Sequence, residues 1–582
     1  MLKVNFFTKT VIFMLIALGA LFFSCEPRQY DYDQAVKKLD DLLRWRVKYS
    51  TLLETSSSYG SMESVTSLAD NLPAITEFPL TVDPYGSGYK NEDTEVAVEI
   101  FSSTEKSGIK EPDNWLYKVA EDFNSRNMRL SSGKTARLII RNIASGEGYQ
   151  FIASRKYVPD AFTPSNHLWI KMVEASGMKV TPVSERLVGN VAGIVMKKAV
   201  YDKLKKKYGK IDVKTILKAV VDSVNNPEDE FAMGYTNPFA SSTGLNFLIT
   251  VLATYANGDE AQMLSPQVVS AFEAFQAGVP FVAMTTLQMR TSVENNGSLD
   301  AFVLESQSYY NSPVMTANYQ FIPFGIRHDN PLYAIGDLPE EKMEVLKKLV
   351  SFCESPSIKR LADDYGFNRF SEYQSDYKVP AGDILVSAQH IWKQKKDSGR
   401  PVIAVFLSDV SGSMANADEQ GNIPLEELKK ALLNGSSFIA PDNYIGLVEF
   451  NDKVTVRLPV EKFTLSQKGR FNAAVEKMSA ESKTAMYDGI MVSLKLLVDA
   501  RKNIPNGKPM LFALTDGQTN MGTQYSDVIK IIEGLNIPIY TIGYNFQNDD
   551  LKNIAGLTEA AYFNQNAEGI KYQIGALLNA EM

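Results

Sequence analysis

The sequence predicts an α/β protein, and three observations carry that prediction. Short strand-length runs such as Val96 to Phe101, Ala136 to Arg141, Val402 to Leu407 and Met510 to Thr515 recur through most of the chain. Each leads into a loop dense in Ser, Thr or Gly, and then into a stretch whose apolar residues repeat at helical spacing. The chain has 582 residues, 45% hydrophobic and 22% charged, which is enough for two or three domains with full cores.

Charge and the first residues narrow the class. A net charge of −8 gives no electrostatic footprint for nucleic acid, and no basic run suggests a polybasic membrane patch. Lys3 and Lys9 precede the apolar run Val11 to Phe23, which is short for a spanning helix and proportioned like the core of a secretory signal. The run ends in Phe22-Phe23-Ser24-Cys25, which resembles a bacterial lipoprotein signal, although two Phe stand where small or aliphatic residues are usual. The resemblance implies that residues 1–24 are removed, that Cys25 is lipidated, and that the protein is held on a membrane of the bacterial cell envelope, periplasmic or surface-exposed. A plain signal peptide or an uncleaved anchor are the alternatives. Only Cys25 and Cys353 are present, so a lipidated Cys25 leaves no disulfide, and Cys353 in LKKLVSFCESP reads as a core thiol.

Residues 25–93 are expected to form a tether. DQAVKKLDDLLRWRVKY gives it one short amphipathic helix, and the Ser- and Gly-dense stretch from Thr55 to Thr66 gives it flexibility.

From residue 94 to about 380 the strand, loop, helix pattern begins. The loops SSTEKSG, ASGEG and ASSTG place hydroxyls and backbone N–H groups at helix starts, where the helix dipole favours anions and polar ligands. Together with the strand LVGNVAGIVMKK and the turn NPFASSTGLNFL, they resemble the bacterial extracellular solute-binding proteins of the two-lobed type II periplasmic-binding-protein fold. The resemblance implies a small polar or anionic solute between the lobes, touched by Ser102, Ser103, Ser145, Ser241, Ser242 and Thr243. The competing reading is that these hydroxyls only cap helices. His167, His328 and His390 have no ligand-like spacing and read as hydrogen-bonding residues, and no nucleophile with a base accompanies them, so a non-enzyme is expected.

Residues 381–400 read as a connector with one short helix over Ile384 to Gln394. From 401 to 582 strands and helices alternate regularly, as in a doubly wound, Rossmann-like sheet. The buried run Val402 to Leu407 ends in Asp409, Ser411 and Ser413, a carboxylate and two hydroxyls at a strand's carboxyl end, which suits a hard divalent cation. Thr484 in TAMYDG and Asp516 in LTDGQTN stand at two further junctions that an open α/β sheet can bring to the same edge.

These three motifs resemble the von Willebrand factor A (VWA) domain and its metal-ion-dependent adhesion site (MIDAS). The resemblance implies Mg2+, or Mn2+ or Ca2+, approached directly by Ser411, Ser413 and Thr484 and held largely through water by Asp409 and Asp516. It also implies a protein partner whose Asp or Glu fills the open position. Asp488 reads as an early-helix carboxylate. The segment before the Thr departs from the family's glycine-rich pattern, and its Lys483 either weakens the ion or points to solvent. The expected protein is an envelope receptor or assembly factor; the alternative is the substrate-binding subunit of a transport system with the VWA domain as a docking accessory.

Overall fold

The computed structural model describes residues 30–58, 72, 74–86, 93–226, 229, 231–279, 281–283, 286, 289–290, 293, 299–397, 399–418, 421–436, 439–516, 519–544, 549–558, 560, 562–565, 574 and 577–578. Cys25 and most of the expected last helix, Gly569 to Leu578, lie outside them.

The stretch expected as a tether departs first from expectation. Its helix forms over Tyr32–Trp45, started by a capping box in which Asp31 accepts from the Gln34 backbone at 2.8 Å. Ala35, Leu39 and Leu42 repeat on one face and are buried, and the surface that buries them belongs to the C-terminal domain. Arg46 forms a two-pronged pair with Asp527 at 2.9 and 3.0 Å, and Lys495 reaches Asp40 at 3.0 Å. Strand β1 (Tyr49–Thr51) then pairs in parallel with the far edge of the C-terminal sheet, and Glu54 is held there by Lys477 and Arg457. Residues 30–58 are thus a strap on the C-terminal domain. The amphipathic pattern signalled the helix, but the pattern alone does not say which surface covers it.

Residues 80–395 fold as two lobes. The first sheet contains β2 (Leu80–Val82), β3 (Glu95–Ser102), β4 (Thr135–Asn142), β5 (Ala161–Thr163) and β6 (Val180–Ser184). The second contains β7 (Val191–Lys197), β8 (Met233–Thr236), β9 (Phe281–Ala283), β10 (Ala301–Glu305) and β11 (Tyr319–Arg327). The chain then returns to the first sheet as β12 (Leu332–Ile335), giving the orders β2-β4-β3-β5-β12-β6 and β11-β7-β10-β8-β9. Both sheets are mixed, with β3 parallel to β4 and β5, and β7 antiparallel to β10 and β11.

One hydrophobic core runs through both lobes, joining Phe101, Ile152 and Trp169 to Met233, Phe247 and Leu252. Gly146 sits where the lobes touch: a Cβ there would lie 2.0 Å from the Phe239 carbonyl oxygen. The expected connector helix forms over Gly382–Lys395 but is part of this module, with Leu385 and Trp392 in the shared core and Gly382 against the Lys171 carbonyl. The joint between the modules therefore shortens to a few residues before Pro401.

The C-terminal sheet holds β13 (Val402–Asp409), β14 (Tyr444–Phe450), β15 (Val454–Lys462), β16 (Lys508–Thr515), β17 (Ile539–Tyr544) and β18 (Tyr562–Gln565), in the order β1-β15-β14-β13-β16-β17-β18. All neighbours are parallel except β14 and β15. β13 is buried at every position, which is why its sequence is an unbroken apolar run rather than an alternation.

Candidate functional site

Because β13 lies between β14 and β16, its carboxyl end opens onto the crevice where the helices on the two faces part. Asp409 ends the strand and is fully buried; its Oδ1 accepts the Ser411 N–H at 2.8 Å and its Oδ2 accepts the Thr515 hydroxyl at 2.6 Å. The Ser411 and Ser413 hydroxyls are 3.1 Å apart, and Ser413 donates to Asp516 Oδ1 at 2.8 Å. Parallel register between β13 and β16 is what sets Asp516 beside the first motif.

The third loop arrives through its backbone. Gly412 N–H donates to the Ser482 carbonyl at 3.0 Å and Glu481 N–H to the Val410 carbonyl at 2.9 Å, which brings Thr484 to the same edge. Asn520 fixes it there, accepting the Thr484 N–H at 3.0 Å and donating its own N–H to the Thr484 carbonyl at 2.9 Å. Asp488 does more than face a helix dipole: it accepts both the N–H and the hydroxyl of Thr523, tying the loop after β16 to the helix Met486–Asn503. Lys483 is exposed.

Burial pushes the Asp409 carboxyl up to about 6, with Asp516 adding to the rise, and burial raises Asp516 as well. No Lys or Arg answers either charge among the described residues. Two desolvated carboxylates with three hydroxyls and no counter-cation form a donor set that fits a hard divalent ion. Among the described residues no group of three His, Cys, Asp or Glu side chains could hold a metal, so zinc-type coordination has no support here.

The six hydroxyl residues expected between the lobes are all buried there. Ser145, Ser241 and Ser242 line one small cavity of about 20 Å³ with Glu105, Ser165 and Glu305, room for about one water. Ser241 is a true cap, accepting the Gly244 N–H at 3.3 Å, whereas Ser103 makes no cap bond. Ser242 accepts the Trp169 indole N–H, Thr243 donates to Glu305, and the Ser102 hydroxyl is buried without a partner.

Beside that small cavity lies a fully buried cation, Lys106. Its ammonium donates to the Thr163 carbonyl at 2.8 Å and to Ser103, with Glu105 at 3.8 Å; burial pulls it down to about 8, and Glu105 and Glu305 offset part of that. Glu305 also accepts from Asn190 and contacts His328 Nδ1 at 2.8 Å. Backbone bonds fix the orientations of Asn166 and Asn246, so both present N–H groups to His328 Nε2. That nitrogen must accept, so the ring proton sits on Nδ1 and is donated to Glu305. In SSTEKSG the hydroxyls are the candidates that sequence offers, whereas the structure buries the charged pair Glu105 and Lys106 of the same loop. Glu305, standing directly after the strand Ala301 to Leu304, was the other available signal.

Two family models match parts of the chain. Residues 404–574 match the von Willebrand factor type A domain, and residues 112–368 match the bacterial extracellular solute-binding proteins. Both domains are present. No curated protein matches the chain at a significant level. Similar solved structures include a von Willebrand factor type A protein from Catenulispora acidiphila (17% identity, TM-score 0.28), covering 31% of this chain and 42% of that one. The chain thus spans less than half of that relative's length. Another is the sulfate-binding protein SubI from Mycobacterium tuberculosis (15% identity, TM-score 0.34), covering 49% of this chain and 93% of that one. A third is the conserved hypothetical protein BatB from Bacteroides thetaiotaomicron (14% identity, TM-score 0.24), covering 30% and 98%. The VWA domain and the solute-binding module are both of binding type. No helix among the described residues is long and apolar enough to cross a membrane.

Proposed function

We propose that this chain is a cell-envelope lipoprotein whose VWA domain grips a protein partner through a divalent cation. Ser411, Ser413, Thr484, Asp409 and Asp516 would hold Mg2+, or Mn2+ or Ca2+, and a partner's Asp or Glu would supply the remaining ligand. The observation that carries this reading is the meeting of three separate loops at the carboxyl edge of β13 and β16, where the buried Asp409 and the part-buried Asp516 have no counter-cation among the described residues. Once bound, the ion supplies an electrophilic position for a carboxylate. Asp409 stays fixed by Ser411 and Thr515, and Thr484 by Asn520, so the oxygens are pre-set before the ion arrives.

The solute-binding module is read as a presented scaffold rather than a carrier. The cavity between its lobes is only about 20 Å³, and its lobes share a core. Lipidation at Cys25 would act on the VWA domain directly, because Tyr30 rests on Gly534 of that domain; the domain last in sequence would be the one nearest the membrane.

Calorimetric titration of Mg2+ and Mn2+ into the full chain tests the cation. One-site binding is expected, and Asp409→Ala and Thr484→Ala are expected to abolish it while circular dichroism stays unchanged. Equal binding by the wild type and both variants would refute the site.

A further inference from the structure

An unassigned polar cavity lies away from both sites, at the joint between the modules. It measures about 230 Å³ and is lined by the end of the solute-binding module and by the edge of the VWA sheet opposite the Asp409 site. Lys396 and Arg400 come from the joint itself, Lys508 opens β16, and Arg501 ends the helix Met486–Asn503. Against these four cations the lining holds one carboxylate, Asp397.

That carboxylate is already engaged. Asp397 receives Lys396 at 2.8 Å and Lys508 at 2.9 Å, which holds it down at about 2 despite its burial. Arg400 is left with carbonyl contacts only: its Nε donates to the Asp397 carbonyl at 3.3 Å, and its Nη2 is buried without a partner. Arg501 faces the same cavity and makes a cation–π contact with Tyr32, 5.9 Å from the ring centre. Burial depresses both Arg400 and Lys508, the sign of cations short of negative charge. In a chain whose net charge is −8, the buried Lys396 and the part-buried Arg400 and Lys508 gathered around one carboxylate are costly unless something answers them.

We infer that this cavity binds a small, multiply charged oxyanion of the phosphate or sulfate type, held chiefly by Arg400 and Arg501. Guanidinium groups suit such oxygens because their forked N–H donors match the spacing on a tetrahedral anion. The volume admits a free ion or the headgroup of a small metabolite and little more, below the usual range of organic-ligand pockets, and joints between domains are common places for such sites. Since the cations come from the joint and from the VWA domain, the bound anion would clamp the two modules together and raise the stability of both.

The test titrates inorganic phosphate into the full chain by calorimetry at pH 7, with chloride at matched ionic strength as the blank. One-site binding is expected, weakened about tenfold or more by Arg400→Gln and by Arg501→Gln and unchanged by Ser241→Ala in the inter-lobe cleft. Arg501 is exposed, so its variant keeps the fold if the Arg400 variant does not. Absence of saturable binding at millimolar phosphate overturns the inference. Binding that ignores both arginine variants, or that is lost in Ser241→Ala, also overturns it. Sulfate in place of phosphate separates charge recognition from a need for a protonated oxygen: comparable affinity supports the site as drawn, and no sulfate binding overturns its generality.

Discussion

Glu449 shows how one buried charge prices the VWA sheet. It lies on β14 with Arg457 at 3.8 Å, and one carboxylate oxygen is buried without a partner. Burial pushes its carboxyl up to about 7; Arg457 pulls it down and Glu54 pushes it further up. Because the folded state binds this proton more tightly than the unfolded chain, the associated stability is complete below about pH 4.5 and is lost as pH rises through about 7. Glu449→Gln is therefore expected to raise stability at pH 8 by on the order of 1–3 kcal/mol, seen as a higher melting temperature, and to change it little at pH 4. Thermal scans at the two pH values decide it. At this scale the sequence was informative where a residue stands at an element's end: Asp409 and Asp516 close strands that sheet topology must bring together, and Thr484 stands just before a helix. It was silent on Lys106, Glu305 and His328, since a buried network whose members lie some 200 positions apart leaves no spacing to read.

The strap and the joint helix are the elements whose existence was legible and whose partners were not. Helical periodicity marked Tyr32–Trp45 and Gly382–Lys395, but an apolar face names no surface. Leu39, on the strap's inner face, is wholly buried, so Leu39→Ala is expected to cost the VWA domain about 2–5 kcal/mol, read by chemical denaturation. Gly534→Ala tests the same contact from the other side. A Cβ there would meet Ala35 and the Tyr30 carbonyl at 2.8 Å, so a loss of about 1–3 kcal/mol from overpacking is expected. A strap that merely lay on the surface would leave both variants as stable as the wild type.

Across the whole molecule, the continuous core through both lobes argues against a free hinge. Opening the cleft would part Trp169 from Ser242 and expose apolar surface of the shared core to water, at about 25 cal/mol for each Å². Small-angle scattering of the full chain is expected to give one unchanged radius of gyration across a panel of polar solutes. A compaction on adding any one of them would restore the carrier reading. The two-domain α/β layout was readable in advance because strand and helix periods survive in any context. The border between the modules was not, because it depends on which core accepts a helix.

The strap also sets a clock. Ser50 meets Thr455 across 405 residues, so at 5–20 residues per second roughly 20 to 80 s of synthesis separate the two halves of that contact. Throughout that interval Ala35, Leu39 and Leu42 have been made and the surface that covers them has not. The newborn chain must carry an exposed greasy helix almost to its own completion, which makes it a substrate for holding chaperones and for proteases until the helix Tyr525–Leu535 has been made. Chains truncated before residue 525 are expected to be cut within the strap by trypsin, and full-length chains to resist. On that view the final fifth of the sequence is what makes the strap safe.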